Sequence, residues 1–122
     1  MSREKIKKLL QHHTEVIQEM LSFESMVRGT FYVAKTKCGK PTCRCAQGYL
    51  HTHARLTWSE EGKQHTQKIT EKQEGDIVRL TAAYKKYRQL FRQLVKVEEE
   101  LRLELEKFEW NIVKRSHRAV LK

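Results

Sequence analysis

The chain has 122 residues, of which 39% are hydrophobic and 33% charged, and its mean hydropathy is −0.74. That is one domain's worth of sequence with a modest core, too little for an elaborate enzyme. Twenty-five Lys and Arg against 15 Asp and Glu give a net charge of +10, which points to a polyanionic partner. One proline and five glycines exclude most all-β folds, which need a turn signal every ~8–12 residues. No window approaches the roughly 18 unbroken apolar residues of a membrane span, and the start lacks an apolar signal region. A cytoplasmic protein without membrane contact is expected, nucleoid-associated when bound to DNA.

From Arg3 to Met26 there is neither Pro nor Gly, and Ile6, Leu9, His13, Val16, Met20, Phe23 and Val27 recur at intervals of three and four. This spacing makes one helix face and predicts helix 1 over 3–28, with Gly29 as its stop. Residues 29–70 carry the β character. A first strand is read at 29–36. His53 to Trp58 alternates Ala54, Leu56 and Trp58 with His53, Arg55 and Thr57, and Glu60-Glu61-Gly62 turns the chain into a return strand at 64–70. In that register Arg55 faces Lys68, Thr57 faces Thr66, and His53 faces Thr70. A slip of one residue would reverse every side chain in the pairing.

The long helix 2 is predicted over 74–116, followed by a basic tail at 117–122. From Ile77 the seven-residue seam reads Ile77, Leu80, Tyr84, Tyr87, Phe91, Leu94, Glu98, Leu101, Leu105, Phe108, Ile112 and Arg115. A heptad sustained in this way specifies a left-handed coiled coil. The fold expected for the single domain 1–122 is therefore α+β, mainly α: an antiparallel coiled-coil helical hairpin with a small zinc-stabilised antiparallel β tip between its helices. Helix 1 is expected to cover only the first half of helix 2. The apolar residues from Leu101 onward are then left for a second copy, which predicts a homodimer. Charge agrees, because residues 77–97 hold six Lys and Arg and no acid, whereas 98–109 hold six Glu against Arg102 and Lys107.

Three cysteines, Cys38, Cys43 and Cys45, fall within eight positions and precede His51. Three thiolates and an imidazole match the ligand set of a closed structural Zn2+ site. An odd number of clustered thiols also suits a reducing compartment better than a disulfide framework. The fourth ligand stays open between His51 and His53. His65 is a poor candidate, because a register set by the turn at Glu61-Gly62 carries it away, opposite Trp58. The run Cys38-Gly-Lys-Pro-Thr-Cys-Arg-Cys-Ala46 with His51, then Leu56-Thr-Trp58 and Tyr87-Arg-Gln-Leu, resembles a small bacterial and archaeal domain of unknown function marked by a CGKPxCxCA…H motif. Thr52 stands where that family usually carries Gly, and Ala54-Arg55 where an aromatic pair tends to follow. The resemblance implies association with transposases or integrases.

The cations expected to meet nucleic acid are Arg28, Lys40, Arg44, Arg55 and Lys68 at the tip, and Lys85, Lys86 and Arg92 on helix 2. The predicted function is that of a zinc-containing, dimeric, basic DNA-binding accessory protein of a mobile genetic element, assisting a recombinase or transposase on duplex DNA. The alternatives are a protein-interaction adaptor that recruits its partner through the coiled coil, and an RNA-binding protein. No enzyme is expected and no catalytic residue is assigned. Asp76 is the single aspartate, no Gly-rich phosphate loop occurs, and Cys45 with His51 fits metal ligation better than nucleophilic catalysis.

Overall fold

The computed structural model describes residues 2–36 and 51–121. In chain order, α1 (Ser2–Leu21) is followed by β1 (Thr30–Thr36), β2 (His51–Glu60), β3 (Lys63–Ile69) and α2 (Glu71–Val120). The protein is thus α+β and mainly helical, with one three-stranded antiparallel sheet in the order β1-β2-β3. Two compact units divide it: Met1–Glu24 with Lys86–Lys122, and Ser25–Lys85. Among the described residues no helix is long and apolar enough to cross a membrane.

The first unit pairs α1 antiparallel with α2. Its core is Val16, Met20 and Leu90, with Phe23, Tyr87 and Leu94 packed against it. Phe23 meets Tyr87 edge to face at 5.7 Å, Lys86 lies 3.9 Å from Glu19, and His13 lies 3.4 Å from Glu98. At the other end Lys5 reaches Glu104 at 3.1 Å, and the Arg3 guanidinium sits 5.0 Å over the Phe108 ring. The partners of α1 therefore run from Lys86 to Phe108, further along helix 2 than the first half expected from sequence. α1 itself ends at Leu21 and does not reach residue 28. Ser22 closes the last turn, donating through both its amide and its hydroxyl to the Glu19 carbonyl, at 3.2 and 2.6 Å. The chain then turns, and the apolar spacing of Phe23 and Val27 continues outside any helix.

A second difference concerns the seam of α2. Leu90, Val97 and Glu104 are buried, at 3%, 5% and 8% exposure, while the expected seam residues Phe91 and Leu105 are 38% and 49% exposed. Tyr87, Leu94, Leu101 and Phe108 hold their expected places, half-buried. The covered stripe thus keeps one column of the expected seam and exchanges the other for the residues one position earlier, which turns its centre by about 50° of helix. The basic tail differs too: α2 continues to Val120, and the Leu121 amide donates to the His117 carbonyl at 2.9 Å.

Glu104 is a carboxylate on this buried stripe. The Lys5 and Lys107 ammonium groups both donate to its Oε1, at 3.1 and 3.4 Å. The Lys5 hydrogen bond, with Lys107 adding to it, outweighs burial and holds the carboxyl below its ordinary value. A depressed folded-state value means stabilisation that is complete above the unfolded carboxylate value, about 4.3, and is lost as pH falls through the lower folded one. Melting temperature followed from neutral pH to pH ~2 should therefore fall less steeply for Glu104→Gln than for the wild type. Equal slopes would show that Glu104 contributes no acid sensitivity.

In the second unit, Glu61 and Gly62 both have positive φ, 51° and 78°, as a two-residue type I′ hairpin turn requires. The turn sets the β2–β3 register expected from sequence: Arg55 opposite Lys68, Thr57 opposite Thr66 and Trp58 opposite His65. On the other side β1 places Tyr32 opposite Arg55, Thr30 opposite Thr57 and Phe31 opposite Leu56. Alternation sends Leu56 and Ile69 inward, where they are 6% and 5% exposed. Thr70 caps α2, its amide donating to Gln73 Oε1 at 3.0 Å, and Glu71 and Glu74 lie favourably in the first turn. The segment before β1 is tied to this start of α2 by its Val27 amide, which donates to the Leu80 carbonyl at 3.0 Å.

Gly29 is required by close approach. Its φ is +151°, and a Cβ there would lie 2.9 Å from both Leu56 Cδ1 and the Thr57 carbonyl oxygen. Gly29→Ala should destabilise the sheet by about 1–3 kcal/mol through backbone strain, with the steric clash adding to it. Urea unfolding followed by circular dichroism measures this, and an unchanged midpoint would refute the strain.

Candidate nucleic-acid interface

The outward face of the sheet is built by strand alternation. Every second residue of β2, His53, Arg55 and Thr57, shares that face with Ala34, Tyr32 and Thr30 of β1 and with Lys68 and Thr66 of β3. Arg55, Lys68, Tyr32, Thr30 and Thr66 are exposed. The Thr57 hydroxyl donates to the Tyr32 Oη at 3.5 Å and lies 3.4 Å from the Thr66 Oγ1, both long contacts that leave the hydroxyls available to a further partner.

Among the described residues neither Arg55 nor Lys68 forms an ion pair. Two cations directly across a ladder repel each other, a cost that an anion lying over both would remove. Arg28 lies two residues before β1 at the other end of the hairpin, where it and Lys85 line one crevice. These four cations, Arg28, Arg55, Lys68 and Lys85, belong to one unit. Lys86 and Arg92 belong to the other, and Lys86 is engaged by Glu19 at 3.9 Å. The eight cations expected at the interface therefore do not all fall in one unit.

Cys38, Lys40, Cys43, Arg44 and Cys45 lie outside the described residues. The strands flanking them bear on the metal question. Thr36 pairs with His51 and Ala34 with His53, so position 51 stands at the end of the ladder, opposite a residue only two before Cys38 in sequence. Three thiols and an imidazole make a chemically sound donor set for zinc, and the pairing places His51 two ladder positions nearer the cysteine segment than His53. Among the described residues no group of three or more His, Cys, Asp or Glu side chains forms a metal cluster. His65 lies opposite Trp58 and stacks on it at 5.5 Å, as the hairpin register requires.

Sequence reasoning did not assign Thr30 and Tyr32 to the cationic face, because the β1–β2 register is set across residues 37–50 and not by a short turn. Phe31, their neighbour in β1, is half-buried on the opposite face. The period-2 alternation of β1 was the signal that separates the two.

A helical pair and a three-stranded antiparallel meander with a cationic, hydroxyl-rich outer face define a small basic α+β protein. The chain belongs to the family of the domain of unknown function DUF6788, whose model matches residues 3–79. That span takes in α1, the whole sheet, the cysteine segment and the start of α2. No curated protein and no solved structure matches the chain.

Proposed function

We propose that this protein is a zinc-containing, dimeric, DNA-binding accessory factor of a mobile genetic element, working beside a recombinase or transposase. The observation that carries the DNA-binding reading is the cross-strand pair of Arg55 and Lys68 on an exposed face lined with threonine and tyrosine hydroxyls. Cations and hydroxyl donors of this kind contact phosphates, which position a protein on a duplex without selecting a base sequence. A net charge of +10 adds long-range attraction to the same partner. The mobile-element context rests on the resemblance of the cysteine motif alone. The direct test is binding of a fluorescent duplex at low salt, where log affinity should fall linearly with log salt at a slope of several units. Absence of binding at low salt would end this reading.

The metal reading is that Cys38, Cys43, Cys45 and His51, with His53 as the alternative fourth ligand, hold a structural zinc ion. Bound there, zinc would tie the segment between β1 and β2 to the end of their ladder and supply folding energy. Dimerisation is supported by the rotation of the covered stripe, which leaves Phe91, Val95 and Leu105 38%, 41% and 49% exposed. The flanking charge favours two copies meeting antiparallel, the basic block at 77–97 of one against the acidic block at 98–109 of the other. Native mass spectrometry of protein purified without a histidine tag should read two chains and two zinc ions. A metal-free species would overturn the zinc assignment, and a single-chain species at micromolar concentration the dimer.

A further inference from the structure

The cationic face is continuous, through Thr57 and Thr30, with a crevice of about 410 Å³ at the turn end of the sheet. Two basic residues, Arg28 and Lys85, two aromatic ones, Trp58 and Tyr84, and the amide-bearing Gln64 are among the residues that line it. None of the described residues that line it is acidic. A second crevice of about 380 Å³, in contrast, includes Glu71 and Glu74 among its walls. His65 stacks against the Trp58 ring, and Glu60 accepts a long 3.5 Å hydrogen bond from the indole Nε1. Trp58 is thereby held while still lining both the cationic crevice and an adjoining apolar one of about 280 Å³ with Val27 and Leu56. Volumes of roughly 300–1,000 Å³ suit a small ligand, and aromatic walls beside paired cations suit a flat ring that carries an anion.

We infer that this crevice takes one unpaired nucleotide, its phosphate on Arg28 and Lys85 and its base against the Trp58 and Tyr84 wall. A base inside a duplex is stacked on both sides and cannot enter, so the crevice selects a frayed end, a flipped base or an overhang. The inference extends the nucleic-acid reading above, and a free nucleotide has the same recognition chemistry.

The test uses the full chain carrying Trp110→Phe, an exposed substitution that leaves Trp58 as the only tryptophan. Three probes are titrated: a blunt duplex, the same duplex with a short single-stranded overhang, and deoxyadenosine monophosphate. The overhang should bind at least about five-fold tighter than the blunt duplex, the factor one stacked base supplies, and should quench Trp58. In the double variant Arg28→Ala/Lys85→Ala, which alters two exposed side chains, this ratio should fall to about one, with the melting temperature confirming an intact fold. Equal binding of both duplexes without quenching would overturn the crevice assignment and leave DNA binding standing. Quenching by the mononucleotide with no binding of either duplex would identify a free nucleotide as the ligand and overturn the DNA reading. Silence from all three probes would overturn both.

Discussion

Leu90→Ala is expected to destabilise the helical pair by about 2–5 kcal/mol, the cost of a large-to-small change in a packed core. Leu90 is 3% exposed and shares its cluster with Val16 and Met20 as the buried members. With so few residues in the cluster, the neighbours have little freedom to collapse into the space left by an isobutyl group. Folded domains hold only about 5–15 kcal/mol in total, so the variant should lose most of its cooperative transition. Urea denaturation followed by helical circular dichroism measures the effect. Phe91→Ala, one residue on and 38% exposed, is the control and should cost far less in the monomer. A reversed order of the two would mean that α1 covers the stripe expected from the heptad and not the one described.

The second large effect concerns Arg55 and Lys68, and its sign differs between stability and binding. Lys68→Glu replaces a like-charged cross-strand pair by an opposite one and should stabilise the sheet by about 0.2–1 kcal/mol. The same change should weaken duplex binding at every sequence alike. Substituting both Arg55 and Lys68 by Glu should lower the salt slope by about two, one for each phosphate contact removed. Destabilisation cannot mimic this outcome, because the single variant gains stability while losing affinity. If Lys68→Glu binds duplex with unchanged affinity and slope, the outer face is not the DNA surface.

The two predictions fall on opposite sides of what the chain shows by itself. The hairpin of β2 and β3 was legible because its register depends on two adjacent residues, Glu61 and Gly62, and strand alternation then assigns each side chain to a face. Arg55, Lys68, Thr57 and Thr66 could be grouped on that basis alone. The end of α1 was not legible. Apolar spacing of three and four runs on through Val27, yet the helix stops at Leu21, where Ser22 donates its hydroxyl to the Glu19 carbonyl, and not at the expected Gly29. Gly29 serves instead to let the backbone pass Leu56 and Thr57.

Composition, charge and local periodicity determined the order of the elements, the antiparallel hairpin, the long second helix and the basic character of the sheet. Tertiary structure alone decided which stripe of α2 meets α1, which residues of β1 join the cationic face, and that Arg28, Lys85, Trp58 and Tyr84 line one crevice. The physical reason is the separation along the chain. A turn or a helical repeat is set by residues a few positions apart. The pairing of His13 with Glu98 joins residues 85 positions apart, and its register is chosen by the sum of side-chain contacts along both helices. On α2 the apolar residues are broad enough in angle to offer two neighbouring stripes. Burial of Leu90 and Val97, with Glu104 held by Lys5, selects between them.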